Sequence, residues 1–460
     1  MSVLCSQGVY FRYNNSNEYV LKNINFQIGI GERVLIYGLN GSGKSSLARL
    51  LAGLDKVELG SITLNGKLLN DRWNEVALLF QNPDLQILTG SVREELTWGL
   101  ENLNVPHVEM KSKLSQTLET FGIEHLSQRS PNTLSDGEKQ LLVLASLWIM
   151  SPKFLILDEG NTHLDPEQTQ KLLSILEELS PKCGIVWLTS RIDSPFRAER
   201  NYQIKEGQLL EFSLPEHKNN ISMNSDNFSF GSLVCNQNSS IRYEELILRD
   251  IRHQYSPHSK FLINIDELSL KSGELLFLSG RSASGKSTLA KIIKGLLKPQ
   301  SGKFYHKIDD KSSEINSGDF MSLVGWCGSN PEQQFFAADV EEEIGFCLKN
   351  RGVSDPQKRE LVVDAMNLVG LDDDCLLRRS PFNLSGGEKR RVAIASTIAD
   401  EHTFYVFDEP LSGLDDRGIY LFFQLLMKLL AKGCGILWME NDYRLFERMQ
   451  QYQAQALVND

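Results

Sequence analysis

The sequence predicts an α/β protein built as two copies of one domain in a single chain. Three observations predict it. The pattern G-x-x-x-x-G-K-[ST] occurs twice, the same later motifs follow each occurrence in the same order, and the spacings repeat. Tyr13 and Lys44 are 31 positions apart, as are Tyr255 and Lys286. Ser135 and Asp158 are 23 apart, as are Ser385 and Asp408, and Asp158–Asp165 matches Asp408–Asp415 at 7. A period this long makes each copy a domain rather than a solenoid repeat.

The elements follow in order. Residues 32–37 (ERVLIY) and 274–279 (ELLFLS) are short apolar runs, read as buried strands. The glycine loops come next, GLNGSGKS from Gly38 to Ser45 and GRSASGKS from Gly280 to Ser287. Helix starts follow at Ser46 and Thr288. A strand, a glycine loop and a helix aim backbone N–H groups and a helix N-terminus at a phosphate, with the lysine neutralising it and the hydroxyl ligating Mg²⁺. The candidate binding residues are therefore Gly38, Asn40, Gly41, Ser42, Gly43, Lys44, Ser45 and Ser46 in the first copy. In the second they are Gly280, Ser282, Ala283, Ser284, Gly285, Lys286, Ser287 and Thr288.

Downstream, FLILDE (residues 154–159) and FYVFDE (404–409) are buried strands ending in two carboxylates. Asp158 and Asp408 suit a Mg²⁺ held through water, and Glu159 and Glu409 suit the polarisation of an attacking water. Before each lies LSDGEKQ (134–140) or LSGGEKRR (384–391). Ser135 and Ser385 read as helix caps, with Glu138 and Glu388 as capping-box partners.

The bulk numbers set bounds. At 460 residues the chain holds two or three cores. A net charge of −11 argues against a general nucleic-acid binder, so no direct nucleic-acid contact is expected. The seven cysteines are never spaced C-x-x-C and read as reduced thiols without a zinc site. No apolar run reaches the roughly 18 residues of a membrane span, and the N-terminus lacks a signal-peptide layout. Membrane work would go through a partner. The predicted domains are 1–212 and 244–460. Between them, Asn and Ser supply 13 of 31 residues, which reads as a flexible linker of roughly 30 Å reach or one holding a short ordered element.

LSGGE-type text about two dozen residues before a strand ending in DE resembles the ATP-binding-cassette ATPases, over both halves and nearly the whole chain outside the seam. The resemblance implies two P-loop α/β domains, each a mixed sheet with a helical subdomain, packed head to tail within the chain. It implies that ATP, with Mg²⁺, is clamped between the phosphate loop of one cassette and Ser135 and Gly137, or Ser385 and Gly387, of the other. It places Tyr13 and Tyr255 where an aromatic ring stacks on adenine, a core tyrosine being the alternative. It places Gln81 on Mg²⁺.

A narrower resemblance rests on QNPDLQ (81–86) and SNPEQQ (329–334), each followed by a partly apolar segment. These resemble the ATPases of energy-coupling-factor importers. The segments beginning at Gln86 and Gln334 are then expected to form grooves for a transmembrane coupling protein, beside a small membrane protein that captures a vitamin or metal ion. Leu88, Phe335 and Phe336 either line those grooves or fill the core. The chain would lie peripherally on the cytoplasmic face of the cell membrane. Alternatives are a soluble tandem cassette acting on ribosomes or nucleic acid, and a low-turnover ATP sensor.

Three departures stand out. Ser190 and Asn441 occupy the positions of the switch histidine, Ser329 replaces the Q-loop glutamine in the second copy, and Asp136 stands where the second copy has Gly386. In composite sites, Lys44, Gln81 and Glu159 combine with Ser385 and Gly387. Lys286, Ser329 and Glu409 combine with Ser135 and Asp136. The second site collects two defects, so the first is expected to be the better catalyst.

Overall fold

The computed structural model describes residues 2–13, 17–69, 75–161, 164–213, 228–234, 243–255, 262–281, 284–309, 311–315 and 320–459. The chain divides into two compact units, Met1–Ile221 and Ser222–Asp460.

In the first unit the central sheet runs in the order Gln208–Glu211, Arg200–Lys205, Arg33–Tyr37, Gly184–Thr189, Phe154–Asp158, Val76–Leu79. Its neighbours are parallel except for the edge hairpin. The inner strands are apolar throughout because both faces are covered. Side chains alternate between them. Leu35, Leu155, Leu157, Ile185 and Trp187 pack on the helical side. Val34, Ile36, Ile156, Val186 and Leu188 face the phosphate-loop helix and a four-stranded antiparallel sheet. The helices Val92–Asn102, His107–Phe121 and Asp136–Trp148 fill the stretch between the Q-loop and the DE strand. This is the helical subdomain the resemblance implies.

The second unit repeats the plan with Glu274–Gly280, Gly435–Glu440, Phe404–Asp408 and Val324–Cys327. Its helical part is Val340–Asn350, Asp355–Leu368 and Gly386–Ile398. Here the sheet differs at its edge. The first unit ends in the hairpin Arg200–Glu211. The second follows its last central strand with the helix Arg444–Asn459, and that edge is filled from the other end of the unit. The strand Phe228–Val234 lies antiparallel beside Glu274–Gly280, with Phe228 opposite Gly280.

Within 213–243 that strand covers seven residues, the short ordered element the sequence left open beside a flexible linker. Residues 214–227 and 235–242 of the segment lie outside the described residues. Leu233 is buried in the core under the new strand. A Cβ on Gly231 would come within 2.4 Å of the Phe446 ring, so glycine is what lets the strand close on that side chain.

Candidate active sites

Each phosphate loop turns into its helix at a glycine in the left-handed region, Gly43 at φ 100° and Gly285 at φ 104°. Gly43 has a second constraint, because a Cβ there would sit 2.9 Å from Leu21 Cδ2. The helices Lys44–Leu51 and Lys286–Lys294 start with no side-chain cap and no acidic residue in the first turn. Their N-terminal N–H groups are thus left to an anion. Ser42 Oγ and Ser284 Oγ are buried without a partner in the two loops, as hydroxyls awaiting a phosphate would be. Asn40 and Gly41 lie on the same turn as Ser42, and Ser282 and Ala283 lie outside the described residues.

The lysines are buried and curl back over their loops. Lys44 Nζ donates to Gly38 O (2.8 Å) and Leu39 O (3.2 Å). Lys286 Nζ donates to Gly280 O (2.8 Å), Arg281 O (3.0 Å) and also Asn441 Oδ1 (2.6 Å). Tyr13 and Tyr255 are 51% and 61% exposed, which removes the core-tyrosine alternative. Their hydroxyls meet Ser46 Oγ (2.8 Å) and Thr288 Oγ1 (3.1 Å) on the helix behind each loop. Each ring is therefore presented to solvent beside its phosphate loop.

The paired carboxylates sit where parallel strands end. Asp158 and Asp408 are buried, and burial pushes each up to about 6, with the neighbouring Glu159 and Glu409 adding to the rise. Asp158 Oδ1 and both oxygens of Asp408 have no protein partner. Orphaned carboxylate oxygens beside a loop hydroxyl fit a hard divalent cation. Glu159 and Glu409 take φ of 58° and 51°, strained for a non-glycine residue. Their N–H groups are held by Leu188 O (3.0 Å) and Met439 O (2.9 Å), which keeps the strained bend in place. The carboxylates lie 3.6 Å from Lys44 and 3.9 Å from Lys286.

The buried aspartates have a consequence for stability. A folded-state value of about 6 lies above the ordinary 3.8, so the buried charge costs stability above pH 6. The cost disappears as the pH falls through 6 toward 4. Asp158→Asn is therefore expected to stabilise the metal-free protein by about 1–3 kcal/mol at pH 8 and by a small fraction of that at pH 4. Melting curves in chelator at the two pH values read this, and equal shifts at both would contradict it.

Both signature segments form full capping boxes, Ser135 with Glu138 and Ser385 with Glu388. Gly137 and Gly387 are buried in the first turns, while Asp136 faces solvent, 3.8 Å from Lys139 Nζ. That lysine offsets part of the negative charge Asp136 brings to the position.

The sequence profile of the ABC transporter family matches residues 21–162 and 263–412. The chain belongs to the ABC transporter family. It is an ATPase with two cassettes. A protein of Methanosarcina mazei named as an ABC transporter ATP-binding protein is 28% identical, over 99% of this chain and 94% of its own length. YkoD of Bacillus subtilis, named as an HMP/thiamine import ATP-binding protein, is 27% identical over 96% of this chain and 88% of its own. Among solved structures, cbiO1 from Clostridium perfringens, part of the ABC transporter complex cbiONQ, shares 30% identity. It covers 45% of this chain and 86% of its own, with a TM-score of 0.42.

The two cassettes differ most at the Q-loop and the switch strand. Gln81 is half-buried at its strand end. At the matching Ser329, the buried Arg390 of the signature helix holds the loop by its backbone. It donates to Gly328 O (2.8 Å) and to Ser329 O, and reaches Ser412 O (3.3 Å) three residues after Glu409. The first cassette has Gln140 there, bonded to Gly160 O (2.7 Å). In the switch strand, buried Glu440 accepts from Leu411 N (3.2 Å) and Trp438 Nε1 (3.3 Å). Its counterpart Thr189 instead turns to Arg191 N (3.1 Å). Sequence reading missed Arg390 and Glu440, since nothing local marks a charged residue as buried.

Behind the Q-loops, Gln86 and Gln334 brace their own turns. Gln86 accepts from Phe80 N (2.7 Å) and donates to Leu78 O (2.8 Å). Gln334 does the same to Gly328 N and Trp326 O. A second brace went unread. Buried Glu95 accepts from Leu88 N (3.0 Å) and Thr89 N (2.9 Å). Buried Glu343 accepts from Phe336 N (3.0 Å) and Ala337 N (2.9 Å). The signal was present: each glutamate follows its glutamine by 9 positions.

Proposed function

We propose that this chain is the ATP-hydrolysing subunit of an importer of the energy-coupling-factor type, its two cassettes working as a pair. Its membrane partners would be a transmembrane coupling protein and a small solute-capturing protein, with a vitamin or a metal ion as cargo. One observation carries the reading. Immediately behind each Q-loop, apolar side chains are held out to solvent by a backbone fixed from within. Leu88 is 71% and Phe336 59% exposed, whereas Phe335 is 7% exposed and belongs to the core. Leu85 and Trp98 are exposed in the first cassette, and Phe346 and Phe382 in the second. Phe336 and Phe346 meet edge to face at 4.4 Å. Solvent-facing apolar groups locked by buried carboxylates are an interaction surface rather than a packing error.

The Q-loop and this surface share one short stretch of chain. A shift at the phosphate end therefore moves the surface, the differential contact that coupling needs. The import name of YkoD supports the direction of transport. The reading puts the chain peripherally, through its partners, on the cytoplasmic face; among the described residues no helix is long and apolar enough to cross a membrane. Asp158 and Asp408, with Ser45, Ser287 and Gln81, would hold Mg²⁺, which supplies neutralising charge on the phosphates when bound.

Leu88→Asp and Phe336→Asp are expected to lower co-purification with the membrane partner by about tenfold or more, because each puts a desolvated charge into an apolar contact. Mg-ATP affinity should stay within about twofold. Co-purification at the parent level would place the docking surface elsewhere.

A further inference from the structure

We propose that Asn441 is a built-in competitor for the phosphate-loop lysine of the second cassette, so nucleotide binds there only by displacing it. The inference rests on the cassette reading of the site and is independent of the importer reading. A lysine ammonium has three donors. In the second cassette the loop carbonyls Gly280 O and Arg281 O take two, and Asn441 Oδ1, at 2.6 Å, takes the third. The hydrogen bonds of Lys44 go to loop carbonyls alone, and the matching residue there is the short Ser190.

The contact is also positioned from behind. Glu440, next in the chain, is pinned to Leu411 N and to the indole of Trp438, both within 3.3 Å. Leu411 follows Glu409 by two residues. The end of the switch strand is thus tied to the loop that carries the catalytic carboxylate, and the Asn441 amide is aimed at the lysine by a rigid support. When a phosphate oxygen takes the lysine, the amide must swing off, and its strand end is joined through Glu440 to the chain around Glu409. The lysine itself is buried, so an exchange of one acceptor for another is the only way it can reach phosphate without losing a hydrogen bond.

A competitor and a helper predict opposite results. Removing a competitor for a lysine that contacts the β-phosphate tightens ADP and ATP alike. Removing a group that touches only the γ-phosphate weakens ATP and leaves ADP unchanged. The experiment uses the full chain carrying Lys44→Ala, so that the second cassette reports alone. Mg-ADP and Mg-ATP are titrated against Asn441→Ser, which mirrors the first cassette, and against Asn441→Ala. Both variants are expected to bind both nucleotides about five- to tenfold tighter than the Lys44→Ala parent. Melting curves of the free proteins establish that each variant is folded. Unchanged affinity for both nucleotides, or weaker ATP with unchanged ADP, would overturn the proposal. Neither outcome touches the importer reading, which stands on the docking surface.

Discussion

Glu159→Gln is expected to cut steady-state ATP hydrolysis by about tenfold or more, and Glu409→Gln by less than about twofold. Losing a positioned general base costs a site about 10²–10⁴-fold, so the activity that remains is the turnover of the other site. The two glutamates match in backbone and in distance from their lysines. The difference lies around them. The first cassette keeps Gln81 and a lysine whose hydrogen bonds go to its loop carbonyls. The second has Ser329, whose backbone is tied down by Arg390, and a lysine engaged by Asn441. Neither cassette has an imidazole at the switch position, so that absence does not distinguish them. Steady-state phosphate release from the two single variants is the measurement, and equal losses would refute the asymmetry.

Lys44→Ala is expected to weaken Mg-ATP at its own cassette by about 10–100-fold, the range of one lost charge-assisted hydrogen bond and its neutralising charge. Lys286→Ala should weaken its site by about tenfold or less. There the parent lysine already has a third hydrogen-bond acceptor, so less is gained on binding and less is lost with it. Each variant should retain one high-affinity equivalent at the untouched cassette. Titration to saturation gives both numbers. Two intact sites in either variant would rule out the phosphate-loop assignment. Lys44→Ala also strips the buried Glu159 of its cation, and Lys286→Ala the half-buried Glu409, so a lowered melting temperature should accompany each, larger for the first.

What the sequence made legible was local in origin. The strands ending in Asp158 and Asp408 are apolar runs of one composition, and the loops before Lys44 and Lys286 need glycine at a fixed place. The capping boxes at Ser135 and Ser385 close within four residues. Roles set by distant partners were not legible. Arg390 reads as an ordinary basic residue on a helix, and its partners Gly328 and Ser329 are some 60 positions away. Glu440 depends on Leu411, and Glu95 and Glu343 on a turn that the helix folds over. The strand Phe228–Val234 was hidden by composition. Its Ser and Gly look like linker, and only the bare edge of Glu274–Gly280 and the ring of Phe446 give them a structural use.

That strand also sets the order in which the chain can fold as it leaves a ribosome. The first cassette receives its outer strands last, so its sheet closes as soon as Arg200–Glu211 emerges. The second receives its outer strand first. Phe228–Val234 is made about forty residues before Glu274–Gly280, and the neighbouring Gly435–Glu440 follows about 200 residues after it. A strand that must wait for its partner is open to false pairing. Translation therefore closes one sheet as its outer strands emerge, while the other stays incomplete until Gly435–Glu440 is out. The two copies, alike in their motifs, are born on different schedules.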